Sequence, residues 1–215
     1  GLVVHWQEML AVLSVLSLAI GNIAAIAQTN LKRMLAYSTI SHVGFLFLGL
    51  IGGTPLAYSA AMFYAISYAL TAAAAFGMIL LLARAGFEAE EIADFRGLNQ
   101  RAPWYAFLMS LVMFSLAGVP PLFGFFAKLL VLKSVVDAGM LWLAIVAIAF
   151  AIVGIYYYLR IVKVMYFDEA EEHAPAVTVA DAPLRWVLSL NAMALLALGL
   201  FWGPLYGWCN QAFGL

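Results

Sequence analysis

The chain alternates long apolar runs with short polar interruptions. The runs lie near residues 9–28, 35–51, 57–83, 104–134, 140–159 and 186–203. A helix needs roughly 20 predominantly apolar residues to cross a hydrocarbon core about 30 Å thick, and most of these runs reach that length. They are continuous and rich in Leu, Ala, Ile and Met. A spanning β-barrel would instead show segments of about ten residues with alternating polarity. The pattern therefore predicts an all-α protein, a polytopic transmembrane helix bundle of six spans in one transmembrane domain covering residues 1–215.

Composition agrees, with 67% hydrophobic and 10% charged residues. The net charge of −1 says nothing about partners, because most of the surface faces lipid or other helices. No nucleic-acid partner is expected. The single cysteine, Cys209, excludes an internal disulfide and any multi-cysteine metal or iron–sulfur site. No nucleotide-binding glycine fingerprint, flavin signature, quinone site or metal cluster is visible, so no cofactor and no redox or other catalytic chemistry is expected in this chain.

Charge placement gives an orientation. Lys32, Arg33, Arg84, Arg96, Arg101, Arg160, Lys163 and Arg185, eight of the ten cations, fall on one side of a six-span arrangement. The positive-inside rule makes that side cytoplasmic and puts both chain ends on the outer face. The opposite loops, Gly52 to Pro55 and Val135 to Gly139, are short and nearly uncharged. Gly1-Leu2-Val3-Val4-His5 does not read as a signal peptide, since no basic stretch precedes it, and the chain reads as a piece of something longer. The acidic loop from Phe167 to Pro183 and the segment from Glu88 to Trp104 read as surface connectors. Just before the latter, Ala85-Gly86 suits a helix end, and within it Asp94 or Asn99 suits a cap and Trp104 a membrane interface.

The fourth run breaks its own rule. From Trp104 to Asp137 is 34 residues, which as one straight helix would extend about 50 Å, too long for a bilayer core. Pro120 and Pro121 remove backbone donors, and Gly118 and Gly124 tolerate unusual dihedrals, so the helix is expected to break near mid-membrane. Unwound backbone at that depth is tolerated only inside protein or beside a water-filled cavity. Lys128 follows the break, where a lysine costs at least about 3 kcal/mol on insertion scales. All eleven acids (Glu8, Glu88, Glu90, Glu91, Asp94, Asp137, Asp168, Glu169, Glu171, Glu172, Asp181) lie in loops or at span ends. Lys128 is then expected to be neutral, hydrated, or paired with a group outside this chain. Each option suits a proton carrier better than a packing kink with a structural ion pair, the alternative reading. Lys133, four residues before Asp137, reads as a helix-end ion pair, with a place on a proton exit path as the alternative.

Polar stripes could face Lys128. On the second span Ser38, Ser41 and His42 share one helix face, and on the third Tyr64, Ser67, Tyr68 and Thr71 do the same. Such groups can line a water chain or simply bond neighbouring helices, at about 0.6 to 2 kcal/mol per contact. An ionisable group inside a span is a functional candidate by default, which favours His42 as a relay. Lys32 is either a topology anchor or a point of proton entry.

The stretches Ala25–Leu50, Met113–Leu132 and Ile155–Phe167 together resemble the antiporter-like membrane subunits of proton-pumping NADH–quinone oxidoreductase, respiratory complex I. A lysine rather than a glutamate at position 128, and the absence from the third span of a His-rich pattern followed by lysine, resemble the subunit-N branch. The likeness implies two inverted helix repeats in the whole subunit, of which this chain would hold the second, with Lys128 as the lysine of its broken helix. It implies a role in proton translocation coupled to quinone reduction, with NADH, FMN, iron–sulfur clusters and quinone in other subunits. It further implies other membrane subunits as partners and a bacterial inner-membrane location. Related subunits of multisubunit cation/proton antiporters and membrane-bound hydrogenases share the fold, and a purely structural scaffold is the reading from a different class.

Overall fold

A computed structural model describes residues 2–84, 90–170 and 182–215, without the side chains of residues 2–5 and 84. The helix end at Ala85-Gly86 and most of the acidic loop after Phe167 lie outside these residues. The long helices are α1 (Leu2–Ile26), α2 (Leu31–Ile51), α3 (Pro55–Arg84), α7 (Leu141–Phe167) and α8 (Ala182–Leu200). Between them come a one-turn α4 (Leu98–Arg101), the half-length pair α5 (Pro103–Ala117) and α6 (Phe123–Asp137), and after α8 a short α9 (Trp202–Ala212). Five of these helices are long and apolar enough to cross a membrane. The fold is an all-α transmembrane helix bundle.

Helix ends follow local chemistry. Asn30 caps α2, its side-chain oxygen accepting from the Arg33 N–H at 3.0 Å, and so satisfies one of the donors a helix start leaves open. Pro103 opens α5, where its missing N–H costs nothing. Over a membrane-apolar helix, small residues set how closely neighbours approach. Gly21 of α1 lies against the Ser41 backbone of α2, and Gly44 of α2 against the Ser14 carbonyl of α1.

The interior is where α2, α3, α5 and α6 meet. The apolar stretch of α2 is 56% buried within the chain and that of α8 only 22%, so α8 lies at the periphery and α2 inside. Phe63 of α3 packs edge-on against Phe123 of α6 and Tyr206 of α9, with centroids 5.1 and 5.6 Å apart.

Two elements differ from the sequence reading. The described part of the 88–104 segment, residues 90–104, is more than a surface connector: Ile92, Phe95 and Leu98 are buried, and its backbone pairs with the α1–α2 turn through Leu31 N–H to Glu90 O at 2.7 Å and Ile92 N–H to Thr29 O at 2.8 Å. Glu91, not Asp94, is the N-cap of the turn over Ile92–Phe95: Asp94 sits at the third position and completes a capping box by accepting from the Glu90 and Glu91 N–H groups at 3.1 and 2.8 Å, and Asn99 lies inside α4, whose N-cap is Gly97. The second is α9, which the hydropathy pattern did not foretell. Trp202 stacks on Phe126 at 5.2 Å, and Asn210 of α9 accepts a hydrogen bond from Ser59 of α3 at 2.5 Å.

Candidate functional site

The break is built by glycine and proline. Helix α5 stops at Ala117 because Gly118 takes a left-handed conformation, φ 84°, which favours glycine. Its N–H bonds Phe114 O at 3.0 Å, and the Val119 N–H returns to the same carbonyl at 2.9 Å. Pro120 and Pro121 carry the chain across, and the peptide between them is cis. At Gly124 the chain returns so close to α5 that any Cβ would collide with the Ser115 carbonyl oxygen. The Gly124 N–H instead donates to Ser115 Oγ at 3.2 Å.

Ending α5 there leaves its last carbonyls without helical donors. Lys128, on the second turn of α6, reaches back and supplies them: Nζ donates to Leu116 O at 2.8 Å and Ala117 O at 3.1 Å. A cation also suits the negative end of a helix dipole. The residue is 9% exposed, and its Nζ lies 5.2 Å from the Phe45 ring centre, within cation–π range. The sequence leaves Lys128 neutral, hydrated or paired with a group outside the chain, whereas in the structure its partners are carbonyls freed by the break itself.

Lys128 shares a cavity of about 10 Å³, room for about one water, with His42, Tyr64, Ser67, Tyr68 and Thr71. The third-span stripe therefore faces Lys128. His42 is held on both nitrogens, Nδ1 2.6 Å from the Tyr64 hydroxyl and Nε2 3.1 Å from the Tyr158 hydroxyl. Its ring stacks on Tyr68 at 4.5 Å, and Tyr68 donates to Thr39 Oγ1 at 2.6 Å. Thr71 donates to Ser67 O at 2.7 Å and lies 3.4 Å from Ser115 Oγ.

Ser38 and Ser41 are not brought to this cavity. They bond α7 and α1 instead: Tyr158 donates to Ser38 Oγ at 2.9 Å, and Asn22 Nδ2 to Ser41 Oγ at 2.8 Å. Tyr157 in turn donates to Asn22 Oδ1 at 3.0 Å. Asn22, Thr39, Ser115, Tyr157 and Tyr158 went unsingled in the sequence. The adjacent tyrosines of α7 were the available signal, but side by side they form no stripe of helical period.

The helix bundle that holds this site is similar to known proteins. A family model described as NADH:quinone oxidoreductase/Mrp antiporter, transmembrane, matches residues 2–154. The chain belongs to this family. NADH-quinone oxidoreductase subunit N of Thioalkalivibrio sulfidiphilus is 59% identical over 200 residues, covering 93% of the chain and 41% of that relative. The chain thus spans under half the length of the curated relatives it matches. Respiratory complex I from Thermus thermophilus with bound aureothin contains a chain that is 31% identical with a TM-score of 0.80, covering 93% of this chain and 45% of that one. A chain of the Mrp complex from Dietzia sp. shares the fold with a TM-score of 0.83 at 22% identity, covering 97% of this chain and 47% of that one.

Within this antiporter-family bundle the remaining candidates lie apart from Lys128. Lys32 is at the start of α2, on the exposed surface, bonded to Glu90 Oε1 at 2.6 Å. The hydrogen bond and charge of Lys32 hold the Glu90 carboxyl below its ordinary pKa. Lys133 pairs with Asp137 at 2.7 Å, exposed, beside an open cleft of about 290 Å³ between α3, α6 and α9. Among the described residues no three His, Cys, Asp or Glu side chains cluster as metal ligands.

Proposed function

We propose that this chain is part of a membrane subunit of a proton-translocating NADH–quinone oxidoreductase, and that it helps move protons across the membrane while holding no redox centre of its own. NADH, FMN, iron–sulfur clusters and quinone then belong to other subunits of the complex, and neighbouring membrane subunits are its partners. The location is a bacterial inner membrane, with both ends of this segment on the outer side. The likeness to curated subunits N supports the complex.

The observation that carries the proton role is Lys128: a buried cation with two backbone carbonyls as its hydrogen-bond partners, facing a cavity shared with His42. A carboxylate partner would bind the proton firmly in an ion pair. Carbonyls compensate the desolvated charge only in part, so the charged and neutral forms lie closer in free energy, as a group that loads and unloads a proton requires. Lys128 is the proton-carrying switch, and Gly118, Pro120, Pro121 and Gly124 form the break that supplies its acceptors. His42, with Tyr64, Ser67, Tyr68 and Thr71, is the polar route beside it. Lys32, ion-paired at the surface, is a candidate for proton entry only.

The test is Lys128→Met in the full-length subunit within the assembled complex, comparing proton pumping and NADH oxidation in inverted vesicles. Pumping should fall while the complex stays assembled; native pumping and oxidation would reject the switch. Membership of a cation/proton antiporter or hydrogenase complex, the alternative reading, would show as a different set of copurifying subunits.

A further inference from the structure

The hydrogen bonds around His42 fix which way its proton points. A tyrosine hydroxyl has one hydrogen to give. That of Tyr158 goes to Ser38 Oγ at 2.9 Å, so toward His42 the Tyr158 oxygen can only accept. The Nε2 atom at 3.1 Å must therefore carry the imidazole hydrogen. In a neutral imidazole the other nitrogen is then a bare acceptor, and Nδ1 receives the Tyr64 hydroxyl hydrogen at 2.6 Å. The donors line up in one sense, from Tyr64 through His42 and Tyr158 to Ser38.

We propose that Tyr158 of α7 is a positioning residue that holds His42 as the Nε2–H tautomer, so that the imidazole presents a lone pair to Tyr64 and the Lys128 cavity. This rests on the proton-carrying role of Lys128 given above. A proton arriving at the Tyr64 oxygen releases the Tyr64 hydrogen to Nδ1, forming imidazolium, and Tyr64 is left with the hydrogen that arrived. No electrons move and each hydroxyl keeps one hydrogen. The opposite tautomer would point an N–H at Tyr64 and block that transfer. Stacking on Tyr68 at 4.5 Å holds the ring plane, but only the Tyr158 bond distinguishes one nitrogen from the other.

Tyr157 supplies a control. It sits beside Tyr158, with ring centres 4.5 Å apart, and is equally buried, but its hydroxyl goes to Asn22 Oδ1 at 3.0 Å and not to His42. Tyr158→Phe and Tyr157→Phe each remove one buried hydroxyl, the first losing the bonds to Ser38 and His42 and the second the bond to Asn22, and only the first frees His42.

The experiment places each variant in the full-length subunit of the assembled complex, next to Lys128→Met. It reads protons pumped per NADH oxidised, and the nitrogen-15 resonances of His42 in histidine-labelled protein, assigned by their loss in His42→Gln. Native protein should show hydrogen on Nε2. Tyr158→Phe should lose that signature and pump roughly two- to tenfold less per NADH, the range one hydrogen bond's net free energy spans, while Tyr157→Phe keeps both. Hydrogen on Nδ1 in the native protein, or equal losses of pumping in the two tyrosine variants, would overturn the positioning role. If Lys128→Met pumps normally, the proton role of Lys128 falls, and the nitrogen signature still decides separately whether Tyr158 sets the tautomer.

Discussion

The Nζ atom of Lys128 lies 2.8 Å from the carbonyl oxygen of Leu116, so the second half of the broken helix closes the C-terminus of the first. Gly118 makes that reach possible, because a Cβ there would stand 2.9 Å from Lys128 Cδ, closer than carbon atoms pack. Gly118→Ala should therefore act twice. The left-handed φ of 84° costs alanine about 1–2 kcal/mol, and the added methyl pushes the ammonium off its carbonyls. Thermal unfolding of the assembled complex should begin at lower temperature, and pumping should fall although no ionisable group has changed. Native values for both would show that the lysine does not depend on this close fit.

Gly124 separates close approach from mere flexibility. A methyl group there meets the Ser115 carbonyl oxygen, which is backbone and cannot swing away. Gly124→Ala should cost about 1–3 kcal/mol or more from overpacking, and lower the amount of assembled subunit recovered from membranes. Gly203 and Gly207 of α9 have nothing within 4 Å of the same position. Alanine at either should be neutral or raise stability by up to about 1 kcal/mol, the gain in helix propensity. A uniform response at all three glycines would count against the packing argument.

Periodicity and punctuation carried the helices and the break: Pro120 and Pro121 cannot continue a helix, and Gly118 can end one. The stripe from Tyr64 to Thr71 was readable because four polar residues at helical spacing share a face. The partners of Lys128 were not readable, because backbone carbonyls have no letter in a sequence and become acceptors only once the helix stops. Ser38 and Ser41 share the stripe of His42, yet their hydroxyls bond α7 and α1 while His42 alone reaches the cavity. A helix enclosed on several sides has no single inner face, so periodicity could not separate them. Asn22 and Tyr158 matter through contacts made across 19 and 120 positions, which no local pattern encodes. Helix α9 escaped notice because its 11 residues mix Gly, Pro, Asn and Gln with aromatics.

The Lys32–Glu90 contact at 2.6 Å predicts a pH response at the α1–α2 turn. The hydrogen bond and charge of Lys32 hold the Glu90 carboxyl below its ordinary pKa. A carboxyl with a depressed pKa in the folded state stabilises that state above its unfolded value, and the contribution is lost as pH falls through the folded one. Hydrogen exchange at the Leu31 and Ile92 amides, which join this turn to the 90–92 segment, should therefore speed up, relative to the intrinsic rate, as pH drops below the ordinary carboxylate range. Glu90→Gln should remove that change. Both groups are well exposed, so the effect is small and should shrink further with added salt. A response that survives the substitution belongs to another group.

Three hydrogen bonds hold the Asn22 side chain: Nδ2 donates to Leu18 O at 2.7 Å and to Ser41 Oγ at 2.8 Å, and Oδ1 accepts from Tyr157. It is 1% exposed, so no water can replace a lost partner from the surface. Asn22→Leu strands the Tyr157 hydroxyl and should destabilise the protein by about 1–3 kcal/mol, the cost of an unsatisfied buried polar group. Combining it with Tyr157→Phe removes both ends of that bond, and the double variant should be less destabilised than the two single changes added together. The coupling expected is about 0.6 kcal/mol and no more than about 1.7, the span found for polar contacts between membrane helices. Denaturation of the four forms in one detergent measures it. Strict additivity would mean that Asn22 and Tyr157 act independently.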